Sequence, residues 1–303
     1  MQPAAAVSTP APSADKLSLA DLETLLGPVA LYPDSLLANV FAAAVYPQEI
    51  AAAGAYVKGH GDSAKIAQQG WEPGVQAIAA VPDVLALLAD NPDWTGAIGQ
   101  AYLTQAQDVM TAVQSLRAKA KNNGVLKSNQ QMTVVESGST IIIESPQPNV
   151  VYVPTYDPAV VYVDHGPSSG EVFAAGVIGF GVGLAVGAAF NDYDCDWHGG
   201  CVGWGYHGGG YHDVDIDIDR DININTGDIN VDRSRTNVSG NRIGNEGAKF
   251  EPNVTKVNQA RASGALSSTK TNQFRGAGAG GVGGARSSPA AAKVPRSSNV
   301  ASA

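Results

Sequence analysis

The stretch VFAAGVIGFGVGLAVGAAF, Val172 to Phe190, is the one long run of the chain without a charged or strongly polar side chain. As a helix it reaches roughly 28 Å, close to the roughly 30 Å hydrocarbon thickness of a bilayer. It is largely Gly and Ala, so transfer of a lone helix into lipid is marginal. Ala175, Gly179, Gly183 and Gly187 recur every four residues and line one helix face, where a second backbone can approach closely. Phe173, Val177, Phe180 and Leu184 fall on the opposite face, with Val186 out of place among the small residues. The spacing predicts a glycine-zipper-like transmembrane helix over 172–190 that associates with a membrane or with another copy of the chain. Gly179, Gly181 and Gly183 also fit a period of two, which leaves a buried hairpin of short strands as the alternative.

Upstream, residues 17–164 read as a multi-helix domain with a small β-meander, so the fold class is mainly α. Leu22, Leu25, Leu26 and Val29 stand at helical spacing behind Ser18, a predicted N-cap. Leu36, Leu37, Val40, Phe41 and Ala44 mark a second helix, and a third runs from Pro47 towards Lys58. Short helices follow from Asp62 or Ser63 to Gln69, from Pro73 to Ala80 and from Pro82 to Ala89. The longest runs from Asp93 to about Asn122 and ends at Gly124. Its stripe of Trp94, Ile98, Ala101, Tyr102, Val109, Val113 and Leu116 is expected to be buried. The period then changes. Met132 to Glu136 and Thr140 to Glu144 are strands joined by Ser137-Gly138-Ser139, and Val150 to Val153 and Val160 to Val163 are further extended segments. Pro154 and Pro158 each remove an amide donor, so these last two read as edge strands or as a strand that wraps the helices.

Downstream, the expected organisation is a Gly/aromatic loop with Asp/Ile-alternating strands over 191–236 and a basic disordered tail over 237–303, poor in large apolar residues. Residues 1–16, rich in Ala and Pro, read as the remnant of a leader, without a visible export signal. Charge is split along the 303 residues: 8 Lys/Arg against 26 Asp/Glu up to Asp232, then 11 against 2. Such a tail meets an anionic surface or folds back on the acidic part of its own chain. Its charge is too sparse, and its aromatics too few, for specific nucleic-acid binding.

ALYPDSLLANVFAAAVYPQEI, the run VPDVLALLADNPDW to LKSN, and NVVYVPTYDP together resemble a bacterial family of unknown function, DUF3300. The resemblance covers about residues 22–163. Its motifs include Leu31-Tyr32-Pro33-Asp34, Tyr46-Pro47, Asp93-Trp94, Leu116-Arg117, Tyr152-Val153-Pro154 and Tyr156-Asp157-Pro158. It implies an exported envelope protein of Gram-negative bacteria, and brings no activity, cofactor or catalytic residue with it.

The candidate chemistry is sparse. Asp34, Asp83 and Asp93 each follow a proline at a helix start, where a carboxylate is expected to accept from free helix amides. Cys195 and Cys201 read as a disulfide pair, as free thiols or, with His198, His207 and His212, as metal ligands. Asp215, Asp217 and Asp219, among the alternating acids from Asp213 to Asp221, are calcium candidates, with a solvated strand face as the plainer reading. No catalytic constellation and no cofactor motif stands out, so the expectation is a membrane-associated envelope protein acting as a structural or interaction module. The alternatives are a cell-wall-active enzyme with a cleft around Tyr32, Trp71 and Trp94, and a surface assembly protein pairing through the alternating strands.

Overall fold

The computed structural model describes residues 16–60, 63–147, 149–163, 177–187, 190, 193–204 and 248–276. Prolines set where its helices begin, because a proline in the first helical turn gives up no hydrogen bond and arrives with φ already set. Helix α2 (Asp34–Ala44) follows Pro33, and α3 (Pro47–His60), α4 (Pro73–Ala79), α5 (Pro82–Asp90) and α6 (Pro92–Asn122) each open on a proline. Helix α1 (Leu19–Leu26) starts instead from a capping box. The Ser18 hydroxyl accepts from the Asp21 amide, and the Asp21 carboxylate accepts from the Ser18 amide. A 3-10 turn, Ser63–Gln68, joins α3 to α4.

A helix that is apolar all round belongs inside a fold. In α2 every residue from Leu36 to Ala44 is buried. Helices α4 and α6 pack on it, α1 lies along α6, and α3 packs on α4 and α5. Small residues set the closeness: a Cβ on Gly74 of α4 would lie 2.9 Å from the Ala42 methyl, and one on Gly99 of α6 only 2.1 Å from the Ala44 carbonyl oxygen. The predicted stripe of α6 is buried throughout. Helical geometry breaks at Gln105 (φ −153°, ψ 50°). There the side-chain amide clamps the entering chain, accepting from the Leu17 amide at 2.8 Å and donating to the Leu17 carbonyl at 3.3 Å.

Strands β1 (Thr133–Ser137) and β2 (Thr140–Glu144) form the predicted hairpin, turned at Gly138 with φ 60°. The rest of the expected meander differs. Val160 to Val163 is not a strand: α7 (Pro158–Val161) begins there, capped by the Asp157 carboxylate accepting from the Ala159 amide. β3 (Val150–Val151) and β4 (Pro154–Thr155) pair with the glycine-rich run itself.

That pairing corrects the glycine-zipper reading. Within 172–190 the described residues include two short strands, β5 (Gly179–Phe180) and β6 (Leu184–Ala185), and no α-helix. Ala175 lies outside the described residues, and Gly179, Gly183 and Gly187 do not line a helix. Val150 stands opposite Ala185 and Val151 opposite Leu184, whereas Pro154 stands opposite Phe180 and Thr155 opposite Gly179. Residues 150–155 and 179–185 therefore make one antiparallel ribbon with an extra residue inserted between Gly181 and Gly183, a β-bulge. Glycine is a poor helix former, and here it answers a close approach: a Cβ on Gly183 would lie 2.8 Å from the Tyr152 ring and from Val150. Among the described residues no single helix is long and apolar enough to cross a membrane. Two helix pairs, α2 with α3 and α4 with α5, reach that length only when bent by 110° and 112°.

Beyond the run, β7 (Tyr193–Asp196) and β8 (Cys201–Trp204) form a hairpin that packs on α2, and β9 (Ala248–Lys249) extends it. The expected disorder from 237 onward is corrected over 248–276. Helices α8 (Val254–Ala262) and α9 (Ser268–Asn272) return across the helical domain, with Val257, Ala260, Leu266 and Phe274 buried against it.

Alanine is the better helix former than glycine by about 1 kcal/mol. At position 99 packing overrides that gain, because the added methyl meets the Ala44 backbone, which cannot turn aside as a side chain can. Gly99→Ala is expected to destabilise the protein by about 1–3 kcal/mol, read as a lowered midpoint in a circular-dichroism melt. An unchanged or raised midpoint removes the close α2–α6 contact from the account.

Candidate functional site

The most enclosed polar cluster lies where α2 begins. Arg117, late in α6, is completely buried. Its Nη1 donates to Asp34 Oδ1 at 2.6 Å and to the Ile141 carbonyl at 2.8 Å. Nε donates to the Ala30 carbonyl at 2.9 Å and Nη2 to the Tyr32 carbonyl at 3.0 Å. Four of the five guanidinium N–H groups are thus engaged by protein oxygens. The Trp197 ring covers one face, its centroid 4.8 Å from the guanidinium carbon. Asp34 is equally occupied: Oδ2 accepts from the Trp197 indole at 2.6 Å and Oδ1 from the Ile143 amide at 3.2 Å. Burial pushes the Asp34 carboxyl up, and Arg117, Trp197 and Ile143 pull it back towards the ionised form.

Tyrosines close the cluster from below. The Tyr156 hydroxyl donates to the Gly27 carbonyl at 2.9 Å and accepts from the Leu31 amide at 3.1 Å. The Tyr162 hydroxyl donates to the same carbonyl at 2.9 Å. Burial raises Tyr32, Tyr102, Tyr156 and Tyr162 well above the ordinary phenol, and raises Tyr46 to about 12. Three of the six family-like motifs meet here: 31–34, 116–117 and 156–158. A guanidinium held on four sides and stacked on its face offers no free edge to a substrate. Chemically the cluster is a brace.

Asp34 therefore does not cap its helix. Pro33 stands at the N-cap with no side-chain hydrogen bond, and the carboxylate reaches sideways to Arg117 instead. Asp83 and Asp93 lie in the first turns of α5 and α6, also without a capping hydrogen bond. Asp93 pairs with Lys270. Tyr32 and Trp94 are buried, with the Trp94 indole donating to the Leu25 carbonyl at 2.9 Å. Trp71 is half-buried against the edge of Tyr56. Two of the three aromatics of the alternative cleft, Tyr32 and Trp94, thus belong to the core.

Of the three readings of Cys195 and Cys201, the structure holds free thiols: both are unbridged and buried. In the β7–β8 register Cys195 stands opposite Val202, and Cys201 opposite Asp196. Alternation then sends the two thiols to opposite faces of the hairpin. The Cys195 Sγ lies 3.5 Å from the Asp34 carbonyl, and burial pushes its thiol up, further from thiolate. His198 sits in the turn between the strands. Among the described residues no three His, Cys, Asp or Glu side chains gather to hold a metal. His207, His212, Asp215, Asp217 and Asp219 lie outside the described residues.

Glu49 and Glu72, which make no recognisable acid pair in the sequence, both bind Lys256, at 2.6 and 2.8 Å, and Glu49 also accepts from the Glu72 amide at 2.7 Å. The clue was the charge split along the chain, which placed the cation on a segment read as disordered.

A family profile described as "Protein of unknown function (DUF3300)" matches residues 18–239. The uncharacterised protein YacH of Escherichia coli (strain K12) is 32% identical over 240 residues, covering 62% of this chain and 39% of YacH. The chain thus spans about two fifths of that relative's length. No solved structure matches.

Breaking a buried pair from one side leaves an uncompensated charge. Arg117→Met is expected to lose about 3–5 kcal/mol in denaturant unfolding, and the double change Asp34→Leu with Arg117→Met to lose less than the single. A single-variant loss below about 1 kcal/mol, the range of an exposed pair, removes the brace from its central role. The buried tyrosines set an alkaline limit. Unfolded tyrosines ionise near 10, while the folded ones hold their protons higher. The unfolded state therefore binds fewer protons, and stability falls as pH climbs through 10. Tyrosinate absorbance and loss of helix are expected to rise together; tyrosinate forming fully before helix is lost contradicts the burial.

Proposed function

The chain belongs to the DUF3300 family of proteins of unknown function, and from that premise we propose that it is a bacterial cell-envelope protein working as a structural or interaction module and not as an enzyme. One observation carries the module reading. Four of the residues that carry the family resemblance, Tyr32, Asp34, Arg117 and Tyr156, are engaged in an enclosed brace. A motif that fixes a scaffold leaves recognition to the surface of that scaffold. Placement in the envelope follows from the resemblance of residues 22–163 to exported bacterial proteins. Attachment there is peripheral, through partners and salt-sensitive contact with anionic envelope surfaces.

Fractionation of the native host, followed by successive salt, carbonate and detergent extraction, tests this. The protein is expected in the envelope fraction and is released by salt or carbonate without detergent. Recovery in the cytosolic fraction overturns the placement, and release by detergent alone overturns the peripheral attachment.

A further inference from the structure

Residues 253–274 lie over the helical domain as a strap with two helical pieces, turned at Gly264 with φ 74°. Its seat reads that segment by charge at both ends and by shape in the middle. At one end Lys256 stands between Glu49 and Glu72, while the Asn253 amide donates to the Tyr46 hydroxyl at 2.7 Å. At the other end Lys270 pairs with Asp93. Between them the strap backbone touches α6: a Cβ on Gly96 would lie 2.3 Å from the Ala265 carbonyl oxygen. Only a residue without a side chain admits that approach.

The hold is of a kind that opens. Its ion pairs are partly exposed, and such pairs contribute little each. The apolar anchors are few, Val257, Ala260, Leu266 and Phe274. Segments of this sort lie at the low-stability end of a fold. The strap also has a natural hinge. The Phe250 amide still donates to the Val202 carbonyl at 2.9 Å, and Pro252 lies between it and the first helical piece, so the chain can turn at 251–252 without breaking that bond. The seat lies inside the family match and the strap beyond its end at 239.

We propose that the face formed by Tyr46, Glu49, Glu72, Asp93 and Gly96 is a recognition surface for the strap of a second copy, so that two chains exchange residues 253–274 across a two-fold axis. Each copy then supplies a strap and a seat, and the exchanged contacts are those made within one chain. In a single chain the tether raises the local concentration of its own strap and masks the exchange. The inference is independent of where the protein resides, so it stands or falls apart from the envelope reading.

Charge reversal in the full chain lifts the mask. Glu49→Lys with Glu72→Lys spoils the seat, and Lys256→Glu spoils the strap. Each variant alone is expected to show about tenfold faster amide exchange over 254–274 and a monomer mass by light scattering. An equimolar mixture is expected to recover the protection and to contain a heterodimer by native mass spectrometry, since each strap now meets a seat of opposite charge. The triple variant Glu49→Lys, Glu72→Lys, Lys256→Glu is expected to be protected as a monomer, which controls for folding. If the reversals cost helix by circular dichroism, the neutral set Glu49→Gln with Glu72→Gln, mixed with Lys256→Gln, takes their place. A mixture that stays monomeric and unprotected overturns the exchange. Single variants that keep full protection overturn recognition by the Glu49–Glu72 pair.

Discussion

The buried pair of Asp34 and Arg117 is the interaction on which the remaining geometry depends. Burying two charges is costly, and attraction alone offsets that only when further hydrogen bonds satisfy both partners. Here they come from distant parts of the chain: the carbonyls of Ala30 and Tyr32, the β2 backbone at Ile141 and Ile143, and the Trp197 indole after the glycine-rich run. Each part is positioned because the ion pair tolerates no gap. The edge of β2 shows this well. Ile141 exchanges two hydrogen bonds with the Gln114 side-chain amide, and Ile143 donates to Asp34, so helix side chains stand where a neighbouring strand would be.

Around that brace the domain is organised by closeness. Helix α2 is buried on every side, and its neighbours approach through Gly74 and Gly99. The same device recurs at Gly96 under the strap and at Gly183 beside Tyr152. Glycine in this protein marks close approach at several interfaces, to backbone at Gly96 and Gly99 and to side chains at Gly183 in the bulged ribbon. Charge works at the periphery, where Lys256 and Lys270 draw the returning segment onto acidic residues of α3, α4 and α6. Folding back on the chain's own acidic part is the outcome for these two lysines.

Much of the helical domain was legible because its signals are local. Pro47, Pro73 and Pro82 begin helices at their positions in the sequence, and the Leu22–Leu25–Leu26 and Trp94–Ile98–Tyr102 spacings need only a period near 3.6. The glycine run was misread for an equally physical reason. Steps of two and of four residues coexist in it, and only the partner at 150–155 selects the extended form. The cysteines look like a pair until the register sends them to opposite faces. Asp34 resembles a cap because its true partner lies 83 residues away. Residues 248–276 read as disordered on composition, since four buried apolar side chains suffice once a shaped seat receives them.

Local propensity and periodicity, which act over a turn or two of backbone, settled the helices, the β1–β2 hairpin and the kinship of the chain. What the glycines approach, which carboxylate meets which cation, and whether the basic end lies free or docked were decided by contacts between segments far apart in sequence. Those contacts depend on distance and solvent exclusion, and neither quantity exists until the chain has closed on itself.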